Sequence, residues 1–324
     1  MSNYPVLLFH SIDDRELLSL KDLGNIRPEP FERFIMKLKR EFDIVALEEI
    51  VRHISGDKKP KNRLIALTFD DGPKSYATQA VPVMEACNVP STCFLITGCI
   101  GDAAIYWRYL YNFCIHKGFA EELAGFISDE YKVDLEKDEI ITFSRNHYDT
   151  KKNRRIIEKL FSDVIPEEEY RVQEKDLFLS LEDIERLKKN PLVSFGIHTR
   201  THPVLKCLSD EDIHDEIADS LDFYRSRIAD NTPMFSIPFG RLFKDYDERT
   251  IAAARALSIE RILSAYGGGN EEGQPLYNIR RISMHEGRLA GGIDHFIRTL
   301  HEPSVPDEYA EKEKRLSGLL SVRR

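Results

Sequence analysis

Two pairs of side chains in this 324-residue sequence have the types and spacing that suit a divalent metal ion. Asp70 and Asp71 are adjacent, and Gly72 and Pro73 follow them directly. Neighbouring side chains of an extended strand point to opposite faces, but a Gly-Pro turn allows both carboxylates to enter one pocket. Two close carboxylates repel each other, which raises at least one pKa unless a cation lies between them. The Asp-Asp pair therefore predicts a cation site.

His198 and His202 form the second pair. Their i, i+4 spacing lets two imidazoles hold one divalent metal ion from a single turn of chain. One carboxylate with two imidazoles leaves positions open for water and substrate, which is typical of a catalytic rather than a structural metal site. A metal in such a site lowers the pKa of water and polarises a carbonyl oxygen. The second carboxylate is then free to act as a general base.

Each pair also has an ordinary structural interpretation. An Asp-Asp pair is commonly a solvated turn or a helix cap, and two histidines four residues apart are commonly a surface or capping pair. The position of the pairs favours chemistry, because Asp70 and His198 each follow a predicted strand, as do His10 and the run Pro238-Phe239-Gly240. The C-terminal ends of parallel strands form the rim on which α/β barrels build their active sites.

Hydrophobic periodicity predicts the elements that position these residues. Short apolar runs typical of buried parallel strands lie at 6–9, 64–69, 91–96, 192–197 and 234–237. Helical spacing occurs at 30–41, 47–54 and 77–87, and Ser180 and Ser209 are predicted to cap two later helices. Strands that alternate with helices in this way predict an α/β fold with a mainly parallel sheet.

Residues 102–179 break this alternation. We interpret them as a helical insertion carried by one domain, residues 1–324, rather than as a second domain. The run Tyr106-Trp107-Arg108-Tyr109 lies in the insertion, and Trp107 is the only tryptophan of the chain. An exposed indole next to Arg and Tyr would suit stacking on a sugar ring. The alternative is a helix face packed against the main domain.

Composition excludes several classes of partner. The net charge is −9 with no basic stripe, which argues against nucleic acid. No apolar stretch has the length of a membrane span, and the N-terminus has no signal-peptide pattern. Five cysteines without paired spacing favour reduced thiols. Together these features predict a cytoplasmic protein, and the sequence does not determine its oligomeric state.

Four motifs resemble those of the polysaccharide deacetylases, the NodB-homology fold of carbohydrate esterase family four. Two of them resemble the first and second motifs of the family, Leu67-Thr-Phe-Asp-Asp-Gly-Pro73 and Ser194-Phe-Gly-Ile-His-Thr-Arg-Thr-His-Pro203. Two others are most similar to the branch that includes the poly-N-acetylglucosamine deacetylases, Pro5-Val-Leu-Leu-Phe-His-Ser-Ile12 and Phe235-Ser-Ile-Pro-Phe-Gly240. The similarity covers Pro5 to Gly101 and Leu179 to Arg281, which leaves the insertion unmatched.

The resemblance implies a distorted (β/α) barrel that hydrolyses an N-acetyl group and releases acetate and a free amine. It implies that Asp70 is the general base and that Asp71, His198 and His202 bind a divalent metal. Zinc is the expected metal, and other divalent transition metals are alternatives. It also implies that the backbone N–H of Phe239 stabilises the oxyanion.

Three further residues complete the predicted site. Many relatives carry an arginine in the third motif that orients the base, whereas this chain has Ser236 there. Arg281 is the candidate replacement, with a surface cation as the alternative. His285 is the candidate acid that protonates the leaving amine, with a solvated loop histidine as the alternative. His10 is predicted to line the pocket, with a buried hydrogen-bonded histidine as the alternative.

The sequence therefore predicts an enzyme, a metal-dependent deacetylase of an amino sugar or an N-acetylated glycan. We expect its substrate to be a biosynthetic intermediate handled inside the cell. One alternative is an amidohydrolase that acts on a small non-sugar amide on the same scaffold, favoured by the missing third-motif arginine and the insertion. A second alternative is a non-catalytic glycan-binding protein, which requires a broken site.

Overall fold

The computed structural model describes residues 3–57 and 59–322. The strands in these ranges are β1 Asn3–Tyr4, β2 Val6–Phe9, β3 Asp43–Ile44, β4 Leu64–Phe69, β5 Ser91–Leu95, β6 Val193–Ile197, β7 Phe235–Ser236, β8 Ile262–Leu263, β9 Asn270–Glu271 and β10 Ile282–Ser283. The α-helices are α1 Pro28–Leu38, α2 Leu47–Ile54, α3 Val81–Ala86, α4 Trp107–Lys117, α5 Ala120–Tyr131, α6 Ile140–Asn146, α7 Thr150–Asp163, α8 Glu167–Gln173, α9 Leu181–Leu187, α10 Asp210–Arg227, α11 Glu248–Ala256, α12 Glu286–Ala290, α13 Ile293–Thr299 and α14 Asp307–Val322.

The central sheet is parallel throughout, in the order β10-β2-β4-β5-β6-β7-β8, and β3 pairs with the start of β4. A bridge between Leu263 and Ile279 joins β8 to the segment that leads into β10, so the sheet curls into a distorted barrel. This confirms the predicted fold class. The short strands β1 and β9 form a separate antiparallel pair.

The strand register brings the site residues to one level of the barrel rim. Phe9 pairs with Phe69 at the ends of β2 and β4, and their rings stack with centroids 5.1 Å apart. The N–H of Asp70 donates to the carbonyl of Phe9 at 2.9 Å. His10 and Asp70 therefore leave neighbouring strands side by side, as the apolar runs before them predicted.

The helices also follow the sequence pattern closely. The Ser180 hydroxyl accepts from the N–H of Asp183, whose carboxylate accepts from the N–H of Ser180, so a capping box starts α9. Ser209 caps α10 in the same way through the N–H of Asp212. The predicted helix at 77–87 differs, because residues 76–80 form a π-helical turn before α3. Pro82 has no N–H to continue the regular pattern there.

The insertion consists of helices α4 to α8, which lie between β5 and β6 in the chain. Leu110, Phe113 and Leu160 from these helices belong to the same hydrophobic cluster as the barrel residues Leu67 and Ile197. The helical content of this region is as predicted, and its division from the barrel domain remains a prediction. All five cysteines are free thiols. Within residues 3–57 and 59–322, no helix combines the length and apolarity that a membrane crossing requires.

Candidate active site

Asp71, His198 and His202 meet at the rim of the barrel. Oδ1 of Asp71 lies 3.6 Å from Nε2 of His198 and 3.6 Å from Nε2 of His202. The two Nε2 atoms are 3.1 Å apart. All three side chains are buried. The structure thus brings together the three predicted metal ligands, with one ligand atom of each within 4.8 Å of the others.

The hydrogen bonds on the far side of each imidazole determine which nitrogen faces this cluster. Nδ1 of His198 lies 2.7 Å from the carbonyl of Ser236, which can only accept, so Nδ1 donates there and Nε2 is the nitrogen that faces the cluster. Nδ1 of His202 lies 2.9 Å from the hydroxyl of Tyr106. Burial first, and then the charge of His198, lower the pKa of His202 well below its usual range. A neutral imidazole is the form that binds a metal.

Asp71 completes a donor set that fits a divalent cation. Its Oδ1 atom is buried and has no hydrogen-bond partner in the described part of the chain. Its Oδ2 atom accepts from the hydroxyl of Tyr109 at 3.4 Å. Burial raises the pKa of Asp71 above its usual value, which is the effect that a cation against Oδ1 would reverse. One carboxylate and two imidazoles suit zinc and related transition metals.

The backbone conformation explains how adjacent residues share the pocket. Asp71 and Gly72 have φ values of 71° and 72°, in the left-handed region, so the chain turns sharply after Asp70. The two histidines lie on a loop rather than on a helix. Thr199 and His202 have φ values of 64° and 58°, and the Thr199 hydroxyl accepts from the N–H of His202 at 3.0 Å. Such strained positions cluster at functional sites.

Asp70 is held by a buried cation. Nη1 of Arg281 donates to its Oδ1 at 2.7 Å, and Nη2 donates to its Oδ2 at 2.8 Å. The Ser236 hydroxyl donates to the same Oδ2 at 3.0 Å and accepts from Nη2 of Arg281 at 2.7 Å. Burial raises the pKa of Asp70, but Arg281 and His198 together lower it to about 2. Arg281 is 0% exposed, so the surface-cation alternative is wrong, and Arg281 with Ser236 orients this carboxylate.

The two candidate histidines occupy different places. His10 lines the cavity together with Asp70 and Asp71, and it is partly exposed rather than buried. His285 is exposed at the start of α12 and lines a neighbouring groove with Gly24. His285 is not among the residues that line the cavity of Asp70 and Asp71, so the structure gives no support to its predicted place at the site. Of these two histidines, His10 is the one in the cavity with the carboxylates.

Trp107 does not offer a sugar-stacking surface. The side chain is buried, with 2% of its surface exposed. Its Nε1 atom donates to the carbonyl of His202 at 3.1 Å, and its ring packs edge-on against Tyr111. The expectation of an exposed indole is wrong, since α4 packs this face against the barrel. Trp107 instead supports the loop that carries His202.

Phe239 also lies against the histidines. It has a φ value of 59°, and within residues 3–57 and 59–322 no acceptor pairs with its backbone N–H. Its ring meets that of His202 edge-on with centroids 4.6 Å apart. The guanidinium of Arg145 lies 4.1 Å from the centre of the same ring. Its N–H is thus without a partner in the described part of the chain, and the predicted role of this N–H at the oxyanion stays a prediction.

Sequence reasoning missed the contribution of the insertion to this site. The cavity has a volume of about 260 Å³, and one of its walls consists of side chains from the insertion, Tyr106, Arg108, Tyr109 and Arg145. The concentration of Tyr and Arg at 106–109 was the only local signal. The contacts of Tyr106 with His202 and of Tyr109 with Asp71 span 96 and 38 residues, which no periodicity reveals.

Comparison with known proteins decides the family. The profile of the polysaccharide deacetylase family matches residues 57–262 of this chain. The chain belongs to the polysaccharide deacetylase family. The match includes Asp70, Asp71, His198 and His202, whereas His10 and Arg281 lie outside it. The predicted family is confirmed. The roles of His10 and Arg281 are inferred from their positions in the structure and not from the family match.

Individual relatives of the deacetylase are distant. The chain is 20% identical to the Bacillus subtilis protein YxkH, provisionally named a polysaccharide deacetylase, over 91% of this chain and 76% of YxkH. The structure of the Streptococcus pyogenes deacetylase PplD, solved in complex with acetate, superposes with a TM-score of 0.61 at 18% identity, over 92% of this chain and 98% of that one. IcaB from Ammonifex degensii gives a TM-score of 0.61 at 15% identity, with the same coverage of 92% and 98%. At these identities, the structural similarity shows a shared fold.

Proposed function

We propose that this polysaccharide deacetylase is a metal-dependent hydrolase that removes the N-acetyl group of an amino sugar or an N-acetylated glycan. The observation that carries the proposal is the position of the ionised Asp70 beside the metal-binding cluster. Its Oδ2 atom lies 3.6 Å from Nε2 of His198, on the side that faces Asp71. A base next to an N,N,O donor set is the arrangement that amide hydrolysis by activated water requires.

Asp70 takes the proton of the attacking water in this mechanism. A divalent metal held by Asp71, His198 and His202 would supply polarisation of water and of the acetyl carbonyl. Arg281 and Ser236 hold both oxygens of Asp70 in place, so the base enters the reaction without reorganisation. A carboxylate with a pKa of about 2 is a weak base, which fits a site in which a cation acidifies the water.

Two other groups act on the substrate. The free backbone N–H of Phe239 donates to the carbonyl oxygen as it gains negative charge. His10 donates a proton to the leaving nitrogen, because it shares the cavity with Asp70 and Asp71. The C–N bond then breaks to give acetate and a free amine. Enzymes that hydrolyse amides commonly use a general base for the attacking water and a general acid for the leaving nitrogen.

Family membership supports a glycan over a small non-sugar amide as the substrate. The complete set of base and ligands argues against a protein that binds glycan without turnover. The proposal includes zinc as the metal and a cytoplasmic location for the protein.

Asp70→Asn tests the central assignment. We expect acetate release from N-acetylglucosamine oligomers to fall by about 10²–10⁴-fold, while the zinc content measured by atomic emission stays at the wild-type level. Asp215→Asn, on the exposed face of α10, is the matched control and should leave turnover unchanged. Near-wild-type turnover by the Asp70 variant would overturn the assignment. Acetate release from small non-sugar amides and none from the oligomers would favour the alternative substrate.

A further inference from the structure

The wall that the insertion contributes to the cavity carries more positive than negative charge. Arg145 and Arg241 both bind a single buried carboxylate, that of Asp245. Nη2 of Arg145 donates to its two oxygens at 3.1 and 3.2 Å. Arg241 donates to the same oxygens through Nε and Nη2 at 2.9 and 3.0 Å. Two guanidinium groups thus share one negative charge, and both line the cavity.

Arg108 adds a third cation, which has no counter-charge. Within residues 3–57 and 59–322, its guanidinium makes no ion pair, and its Nη1 atom is buried without an acceptor. Nε of Arg145 is likewise a buried donor without an acceptor there. Guanidinium donors withdrawn from water without a partner are costly, so an acceptor from a water, an ion or a ligand is expected to complete them.

The surroundings of Arg108 increase the positive potential. The residue is in the first turn of α4, where the helix dipole is positive and disfavours a cation. Burial first lowers the pKa of Arg108, and the charge of Arg145 lowers it further.

The carboxylates of the cavity do not balance this charge. Asp70 and Asp71 are the acidic residues that line it. Arg281 already neutralises Asp70 through two hydrogen bonds. Asp71 faces the two histidines of the metal-binding cluster. The insertion wall therefore places the guanidinium groups of Arg108 and Arg145, each with one buried donor unpaired in the described part of the chain, beside the cavity.

We propose that the substrate of this deacetylase carries an anionic oxygen group, a carboxylate or a phosphate, which Arg108 and Arg145 bind in the same cavity as the N-acetyl group. The inference rests on the proposed function. Guanidinium groups recognise both kinds of anion through paired N–H donors. Arg108 and Arg145 line the same cavity as Asp70 and Asp71. The anion therefore lies close to the acetylated sugar, on that sugar or on a group bonded to it.

The experiment compares acetate release from three purified compounds by the zinc-loaded full-length enzyme. They are N-acetylglucosamine 1-phosphate, N-acetylglucosaminuronic acid and neutral N-acetylglucosamine. We expect kcat/KM for at least one anionic compound to exceed that for the neutral sugar by about tenfold or more. A lost charged hydrogen bond is worth about 1.5–3 kcal/mol, so Arg108→Gln should raise KM for that compound by about 10- to 150-fold. With the neutral sugar, the variant should change KM by a much smaller factor, because that compound has no anion for Arg108 to bind.

Arg154→Gln is the matched control, because it removes one exposed arginine of the insertion outside the cavity. It should change none of these constants. The anionic compound that is preferred identifies phosphate or carboxylate as the recognised group. Equal turnover of neutral and anionic sugars by wild type and Arg108→Gln would overturn the anion site and leave the deacetylase assignment intact.

Binding of inorganic phosphate, measured by calorimetry, supplies a readout besides turnover. We expect wild-type protein to bind phosphate in the cavity, with Arg108→Gln weakening the affinity at least tenfold and Arg154→Gln having no effect. If no compound releases acetate, the proposed function fails, and phosphate binding still decides the anion site. Equal phosphate affinity of wild type and Arg108→Gln would refute it.

Discussion

The contact between Arg281 and Asp70 offers a direct test of the base, because removing the arginine changes both stability and pH dependence. Arg281 neutralises Asp70 through two short hydrogen bonds in a fully buried position. In Arg281→Met, burial still raises the pKa of Asp70, and the largest opposing charge is gone. The carboxylate will then take up a proton at a higher pH, and a protonated Asp70 is inactive as a base.

The size of the effect follows from the lowered pKa. The fall in the pKa of Asp70 from 3.8 to about 2 corresponds to roughly 2–3 kcal/mol. This stability is present above the unfolded-state pKa and is lost as the pH falls toward 2. Truncating one partner of a buried ion pair costs about 3–5 kcal/mol. We therefore expect the unfolding free energy of Arg281→Met at pH 7 to fall by about that amount.

The assay is the pH profile of kcat/KM for acetate release, with urea unfolding at pH 7 as the measure of stability. The acid limb of the profile should move upward by about two pH units or more in Arg281→Met. Arg281→Lys keeps the charge without the paired donors, so its acid limb should lie between those of wild type and Arg281→Met.

Arg280→Met is the matched control. Arg280 is the preceding residue, and its guanidinium pairs with Glu313 at 2.7 Å. Arg280 is not among the residues that line the cavity. Its removal should cost stability without moving the acid limb. An acid limb of Arg281→Met that coincides with that of wild type would refute the assignment of Asp70 as the base that Arg281 keeps ionised.

Two further predictions concern the metal and the acid. Chelation should abolish turnover and lower the melting temperature, and added zinc should restore both. The His198→Ala variant lacks one of the ligands, so neither the chelator nor zinc should change its turnover or melting temperature. A chelated protein with full activity would contradict the metal site. His10→Gln should slow amide hydrolysis by about 10²–10⁴-fold. It should leave the hydrolysis rate of an activated aryl acetate unchanged, because that leaving group needs no proton. His285→Gln should leave both rates unchanged. Equal losses on amide and ester would exclude His10 as the proton donor.

Much of the barrel and of the metal-binding cluster was readable from local sequence. Fully buried parallel strands produce continuous apolar runs, so β2, β4 and β5 were predicted to within a residue. Capping is also local, and Ser180 and Ser209 were found from the residues that follow them. The rim positions of Asp70, Asp71 and the two histidines followed from these strand ends. The family resemblance added the expected division of roles.

The tertiary structure alone decided which cations and proton donors surround that cluster. Arg281 reaches Asp70 across 211 residues of chain, and only the pairing of β10 with β2, which in turn pairs with β4, brings the two residues together. His10, at the end of β2, lines the cavity. His285, directly before α12, lines the neighbouring groove instead. Arg108 and Trp107 are neighbours in sequence, yet one lines the cavity and the other is buried against the barrel. Charge balance and burial depend on distances between remote segments, which no local pattern encodes.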